Sequence, residues 1–299
     1  MNTRSFRRWP VLICTLFALV IAVGIGCTVT HNIAYKISPG VGKWVDDVSS
    51  VHDARALGEA DEDELGKSVA ILITNRYEPT HNQKLVEYVN LVGFTLVSAS
   101  SKPDRHYVFG VLDTDDIGAY SGPNGYVMVT RGALESMHDE AELAGVLAHE
   151  LTHVIDQHGL TAARTAAQKA GWMDATKAVL PVAQVTNFID QGVDGITRSG
   201  YDRPQEADAD SGAVKLLIAA GYDPRSYARY LSHIAELQRE SGPPTTQPGN
   251  VTATYAKIMA THPGINDRFI AVTRLIGDAG PAGATGATLP DRFKSYVMQ

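Results

Sequence analysis

The stretch that decides the fold is Asp139–His158, DEAELAGVLAHELTHVIDQH, which contains the pattern HExxH. Leucines recur in it at helical spacing and predict a helix with one face in the core: Leu143, Leu147 and Leu151. Histidines four residues apart lie above one another on a helix, so His149 and His153 can bind one metal ion. Glu150 lies one position further round and is the candidate base for metal-bound water. Paired histidines at this spacing also occur on plain helix surfaces, so a third ligand has to be found.

A third ligand is available downstream, in the run Glu206–Asp210 (EADAD). Catalytic zinc takes three protein ligands and keeps one position open. The longer metzincin pattern is not met, because Asp156 and Gly159 stand in its Gly and last His positions. Glu206 is therefore the predicted third ligand, and Asp210 is predicted to accept a hydrogen bond from a ligand histidine. Acids in a solvated first helical turn are the alternative, and this suits Asp208 best.

Further motifs surround the HExxH helix in a recognisable order. They are AYSGPNGYVMVTRGAL (Ala119–Leu134), RPQEADAD (Arg203–Asp210), AGYDP (Ala220–Pro224), and THP (Thr261–Pro263) followed by Arg268. In this order they resemble the zinc metallopeptidases of the HtpX, BepA and CAAX prenyl protease family, of gluzincin type. Their envelope-facing lipoprotein branch is the most similar. The resemblance extends over roughly residues 60–275 and implies a zinc-dependent endopeptidase with one Zn²⁺ per chain.

The resemblance also implies roles for residues outside the helix. Tyr126, Val127, Met128 and Val129 are expected to form an edge strand beside the zinc. An extended substrate peptide would add to that edge through backbone hydrogen bonds. An ordinary sheet strand fits the same residues. The candidate donors to an oxyanion are His262 and Arg203, and a capping or core role is the alternative for His262.

Three departures from the family pattern leave the ligands and the base intact: Asp202 for Ser, Asp208 for Glu, and Thr152 for a common Gly. They bear on substrate preference rather than on metal binding. The remaining histidines of the region are expected at the surface or at helix ends: His138, His158 and His233. Tyr201 is expected to pack in the core.

The pattern as a whole predicts an α+β, mainly α-helical, zincin-like domain. Helical spacing of apolar residues is seen over 61–77, 81–100, 139–158, 205–220 and 224–240, and the Ala-rich stretch 160–190 is also helical in character. Strand signal is confined to His106–Leu112 and Tyr126–Thr130, which predict a small antiparallel sheet beside the active-site helix. The expected division is a lead-in segment at 27–60, a zinc metallopeptidase domain at 61–275 and a flexible tail at 276–299.

The N-terminus carries a separate signal. Three arginines precede an apolar run over residues 9–26, which predicts export. The run ends in Gly24–Cys27 (GIGC), which resembles a bacterial lipobox. It predicts a lipoprotein signal peptide at 1–26 and lipidation at Cys27, with an uncleaved anchor or a plain signal peptide as alternatives. The expected location is the bacterial cell envelope, facing the periplasm.

Charge and motifs together narrow the function. The net charge of −7 and the lack of a basic stripe argue against nucleic acid as a partner. The expected partners are an unfolded or misfolded polypeptide substrate and a membrane, contacted through the N-terminal lipid or anchor. A zinc-bearing periplasmic chaperone or assembly factor with low or latent protease activity is the alternative, and a small-molecule hydrolase is a third possibility. Substitution of Glu150 separates the first two, because only the peptidase loses its function.

Overall fold

The computed structural model describes residues 59–162, 201–241, 262 and 264–298. The predicted signal peptide at 1–26, the lipidation site Cys27 and nearly all of the lead-in segment lie outside these residues. Most of the Ala-rich stretch 160–190 lies outside them too. Among the helices that are described, none combines the length and the apolar character needed to cross a bilayer.

The described chain is mainly helical with one small sheet, which confirms the predicted fold class. The named elements are α1 (Glu59–Arg76), α2 (Gln83–Ala99), β1 (Val108–Leu112), β2 (Ala119–Gly122), β3 (Tyr126–Thr130), α3 (Arg131–Glu135), α4 (Glu140–Ile155), α5 (Arg203–Ala220), α6 (Pro224–Ser241), α7 (Ile265–Asp278) and α8 (Pro290–Val297). The HExxH pattern lies in α4, and EADAD lies in the first turns of α5.

The sheet is mixed, with strand order β1-β3-β2. Strand β3 runs parallel to β1, with Val108 opposite Tyr126, and antiparallel to β2, with Ala119 opposite Val129. The two stretches predicted as an antiparallel pair are therefore parallel, and that prediction is wrong. The missed strand β2 forms the hairpin with β3. Its sequence, AYSG, has one aromatic and no branched residue, so its strand signal is weak.

The predicted substrate strand Tyr126–Val129 is not at an edge. Because β3 is paired on both sides, its backbone groups are used within the sheet, and the edge-strand prediction is wrong. In the described sheet, β2 is the edge strand that packs against α4. A peptide that extends this sheet towards α4 would therefore pair with β2.

Side chains of β3 alternate between the two faces of the sheet, and helices pack on both faces. Val127 and Val129 are fully buried in the main core, which includes residues of α2 and α4. Met128 points to the opposite face and joins a smaller cluster with Val69 and Ile73 of α1. Strand side chains alternate between faces, so both sides of β3 are covered.

Close packing of α4 on α5 depends on Gly212. A Cβ atom at residue 212 would lie 2.3 Å from Cγ2 of Thr152, a distance that real contacts do not show. The side chain of Thr152, which replaces a common Gly of the family pattern, therefore occupies the space left by a glycine on the facing helix. The short distance between the two helices lets carboxylates of α5 reach the histidines of α4.

The segment predicted as a flexible tail is ordered in the structure over residues 280–297, so this prediction is wrong there. Pro290 stands at the first position of α8, where its fixed φ and missing N–H are well tolerated. Phe293 is fully buried and Arg292 forms an ion pair with buried Glu140 at the start of α4. Glycine-rich composition suggested flexibility, but an aromatic anchor holds the segment on the core.

Replacing Phe293 with Ala is expected to lower the free energy of unfolding by about 3 kcal/mol, because it empties a fully enclosed site. Urea unfolding followed by circular dichroism measures this. The matched control is Met298→Ala at the end of the same helix, where the side chain is 60% exposed. Equal stability of the two variants would show that α8 does not belong to the core.

Candidate metal centre

Helix α4 brings His149 and His153 together on one buried face. Their Nε2 atoms lie 3.1 Å apart. The other ring nitrogen of each residue has a separate partner: Nδ1 of His149 lies 3.0 Å from Asp210, and Nδ1 of His153 lies 2.8 Å from His158. The two Nε2 lone pairs are thus left to converge on one point.

The carboxylate of Glu206, on α5, lies against the same point. Its oxygens are 3.6 Å from Nε2 of His149 and 3.5 Å from Nε2 of His153. With metal–ligand bonds of about 2.0–2.1 Å, the ligand atoms of a tetrahedral zinc site are about 3.3 Å apart. The three donors therefore have nearly the spacing of three corners of such a site.

Oxygen Oε2 of Glu206 supports this fit. It is buried, and none of the described residues gives it a hydrogen bond of good geometry, although Nη1 of Arg268 lies 3.1 Å away as an ion pair. Burial raises the pKa of Glu206, but His262 and His153 lower it further, so the net shift is downward and the carboxyl is ionised. A buried, ionised oxygen without a hydrogen bond suits a metal ligand.

His262, just before α7, lies at the remaining corner of the group. Its Nδ1 is 2.8 Å from Oε1 of Glu206 and 3.3 Å from Nε2 of His149, and its Nε2 is 3.1 Å from Oε1 of Glu150. One donor atom from each of four residues falls within 4.8 Å of the others: His149, His153, Glu206 and His262. The structure thus brings His262 into the site, where it can act as a fourth metal donor or as a hydrogen-bond donor.

Asp210 and a buried arginine form the layer behind His149. Asp210 accepts hydrogen bonds from Arg268 at 2.8 and 3.0 Å and from the hydroxyl of Tyr227 at 2.8 Å. Burial raises the pKa of Asp210, but Arg268 and His149 lower it by more, so the group stays ionised. An ionised acceptor beside Nδ1 favours the tautomer of His149 that leaves Nε2 unprotonated.

His153 has different neighbours. The ring of Tyr201 stacks on it with 3.8 Å between centroids, and Nδ1 of His158 lies 2.8 Å from its Nδ1. His158 was expected at the surface or at a helix end; it lies just beyond the end of α4, and its side chain is buried. Burial lowers the pKa of His153 to about 3 and keeps its imidazole neutral. A neutral imidazole is the form that binds a metal.

Glu150 faces the sheet edge and is almost fully buried. Its Oε2 accepts a hydrogen bond of 2.6 Å from the hydroxyl of Ser121 on β2, and its Oε1 contacts His262. Burial raises the pKa of Glu150, but His262 lowers it more, to about 2. The carboxylate is therefore ionised and can accept a proton.

Arg203 is exposed on the first turn of α5, so its expected role as an oxyanion donor does not fit the structure. Its side chain points into solvent, as is common in a first helical turn. The arginine that contacts the site is Arg268, which lies 3.1 Å from Glu206. Arg268 belongs to the THP motif region, so the order of motifs contained the signal. Ser121 and His158 had no signal of their own, because only the fold brings them to the site.

Comparisons with known proteins identify the family of this chain. The family model described as peptidase family M48 matches residues 83–276. The metalloprotease YcaL of Escherichia coli (strain K12) is 26% identical over 235 residues, which cover 74% of this chain and 88% of that protein. The metalloprotease LoiP of the same organism is 29% identical over 139 residues, with 44% and 52% covered.

The beta-barrel assembly-enhancing protease of Escherichia coli (strain K12) is also similar, with 26% identity over 189 residues. The match covers 60% of this chain but only 36% of that protein, so the chain spans about a third of its length. Helices α4 and α5 both lie inside the range that the family model matches.

Proposed function

The chain belongs to peptidase family M48 and is a metal-dependent endopeptidase, and we propose that it uses one zinc ion held by His149, His153 and Glu206. The convergence of two Nε2 atoms and a buried carboxylate at 3.1–3.6 Å from one another carries this proposal. One acid and two imidazoles are a ligand set that zinc prefers, and they leave a position for water or substrate.

When bound, zinc would lower the pKa of a water molecule and polarise a peptide carbonyl. Glu150 is placed to accept the proton of the attacking water and later to return it to the leaving amine. The hydroxyl of Ser121 holds Glu150 in position from the sheet edge. His262, which contacts both Glu150 and Glu206, is the candidate donor to the developing oxyanion.

An extended substrate would pair with β2, since this strand carries Ser121 and packs against α4. Backbone pairing binds peptides with little dependence on sequence and requires an unfolded segment. This is the reason for proposing unfolded or misfolded cell-envelope proteins as substrates. The proposed location, the cell envelope, is supported by the predicted export signal at 1–26, by the resemblance of Gly24–Cys27 to a lipobox, and by the name of one similar protein, beta-barrel assembly-enhancing protease.

A second candidate function is a zinc-bearing periplasmic assembly factor with latent protease activity. One observation favours it: Nδ1 of His262 lies at ligand distance from the other donors, so it can occupy the position that substrate or water needs. A metal with four protein ligands would be poorly active until His262 moved away. Loss of function on substitution of Glu150 would exclude this alternative.

The proposal is tested with protein that begins at Thr28 and is supplied with zinc. Cleavage of unfolded casein is expected, with one zinc per chain by atomic absorption. A chelator is expected to abolish cleavage, and added zinc to restore it. Protein that stays folded and binds no zinc would overturn the proposal. Zinc binding without cleavage would instead support the second candidate, the assembly factor with latent protease activity.

Replacing His158 with Ala is expected to weaken zinc binding by about tenfold or more, because His153 loses the contact that orients its ring. Competition with a chromogenic chelator measures the affinity. The control is His81→Ala, whose side chain is 92% exposed near α2. Identical zinc affinities for both variants would show that His158 only fills space.

A further inference from the structure

Glu62, on α1, is a buried carboxylate that the proposed mechanism does not use, and its exposed fraction is 2%. Its Oε2 accepts a hydrogen bond of 2.7 Å from the side-chain amide of Gln157 and lies 3.0 Å from Nη2 of Arg105. Its Oε1 accepts a hydrogen bond of 3.3 Å from the backbone N–H of Asn124. The charge is thus compensated and both oxygens are engaged, as the burial of a carboxylate requires.

Two of these partners have left-handed backbone. The φ angle is 56° at Asn124 and 55° at Gln157. Residues other than glycine avoid this conformation, and it persists where the surrounding structure holds it in place. Glu62 bonds to both residues, and the neighbouring Asp63 accepts a further hydrogen bond of 2.9 Å from the side-chain amide of Asn124. Helix α1 therefore holds two strained turns at once.

Helix α1 also packs closely on the turn that contains Asn124, which is Pro123–Gly125. A Cβ atom at residue 66 of α1 would lie 1.9 Å from the carbonyl oxygen of Pro123, a distance that real contacts do not show. Residue 66 is glycine, so the helix can approach the turn this closely. The close approach brings Glu62 within hydrogen-bond distance of the turn.

Each of the two turns leads directly to a group of the metal centre. The turn at Asn124 follows β2, and Ser121 of β2 donates the hydrogen bond of 2.6 Å that holds the proposed base. Gln157 is followed by His158, whose Nδ1 lies 2.8 Å from Nδ1 of His153. A carboxylate outside the site thus holds both segments that support it.

We propose that Glu62 is a positioning residue for peptide hydrolysis. By fixing the turn that follows β2, it keeps Ser121 in the place from which its hydroxyl orients Glu150 for proton transfer. The inference rests on the proposed peptidase function. Glu62 acts through Ser121 and does not contact the substrate.

Replacing Glu62 with Ala is expected to lower kcat for casein cleavage by about tenfold or more at full zinc occupancy, because a small misplacement of a catalytic group is costly. KM should stay within about threefold, because the orientation of the base matters mainly in the transition state. Glu62→Gln keeps the shape and one acceptor oxygen, so it should lose less. The control is Phe293→Ala, a destabilising change beside Tyr88 of α2, which should keep kcat under conditions in which it is folded.

A double-mutant cycle with Ser121→Ala tests whether Glu62 acts through this hydroxyl. Effects of residues that act through one another are not additive, so Glu62→Ala should lower kcat by less than about threefold once the hydroxyl has been removed. An unchanged kcat for Glu62→Ala alone, or an equal loss with and without the hydroxyl, would overturn the inference. If Glu62→Ala does not fold, Glu62→Gln is taken through the same cycle.

A second measurement needs no cleavage and follows hydrogen–deuterium exchange in the peptide that contains β2 and its turn. Glu62→Ala is expected to speed exchange there by about tenfold or more relative to β1, because the N–H of Asn124 loses its acceptor. Unchanged exchange would overturn the inference even if cleavage is lost. If the unmodified protein binds zinc but does not cleave casein, the peptidase function fails instead, and exchange alone decides whether Glu62 holds the turn.

Discussion

Replacement of Glu150 by Gln is expected to lower kcat/KM for casein cleavage by about 10²–10⁴-fold. Gln has the shape of Glu and can keep the hydrogen bond from Ser121, but it cannot accept a proton. The proposed ligands are unchanged, so the zinc content should remain at one per chain. Rates are measured with a fluorescent casein at several substrate concentrations.

The matched control for this variant is Glu236→Gln, at an exposed position of α6, which should cleave at the unmodified rate. Near-normal cleavage by Glu150→Gln would remove Glu150 from the role of base. If the Glu150 variant loses cleavage but still supports assembly of envelope proteins in cells, the assembly-factor function is the correct one.

Replacement of Arg268 by Met is expected to lower the free energy of unfolding by about 4 kcal/mol in the presence of a chelator, since removing one partner of a buried ion pair leaves charge uncompensated. The side chain of Arg268 is 9% exposed and lies within ion-pair distance of both Asp210 and Glu206. Met has a similar length but carries no charge. Both carboxylates would then remain buried without their cation.

Zinc should reduce this loss, because a bound cation also compensates Glu206, and its binding stabilises the folded state. Urea unfolding is therefore measured with chelator and again with excess zinc. The control is Arg274→Met, an exposed position on the same helix α7, with a change within about 0.5 kcal/mol. Equal stability of the two variants would show that the buried acids do not need Arg268.

The features that the sequence predicted best are local. His149 and His153 are one helical turn apart, and so are Glu206 and Asp210, so the spacing alone places each pair on one face. The structure brings these two pairs together through the packing of α4 on α5. The order of family motifs supplied the expectation that they meet.

The features that were missed depend on distant contacts. Strand β2 has a weak propensity and exists because it pairs with β3, so its sequence does not announce it. Because β2 was not predicted, β1 and β3 were wrongly expected to pair antiparallel, and β3 was wrongly expected to be an edge strand. His158 was expected at the surface or at a helix end, and nothing local shows that its ring packs beside Tyr201 and His153. Helix α8 was missed because the segment before it is rich in glycine, which suggested flexibility. The burial of Phe293 nevertheless holds the helix on the core.

The close contact of Gly212 with Thr152 constrains the order in which substitutions at these two positions can occur. Any side chain at 212 collides with Thr152 unless residue 152 is first reduced to Gly. A substitution of Gly212 is therefore harmful while residue 152 is Thr and tolerated once residue 152 is Gly, so the two positions are epistatic. Evolutionary routes that change residue 152 first remain open, whereas routes that begin at residue 212 force apart the two helices that carry the metal donors.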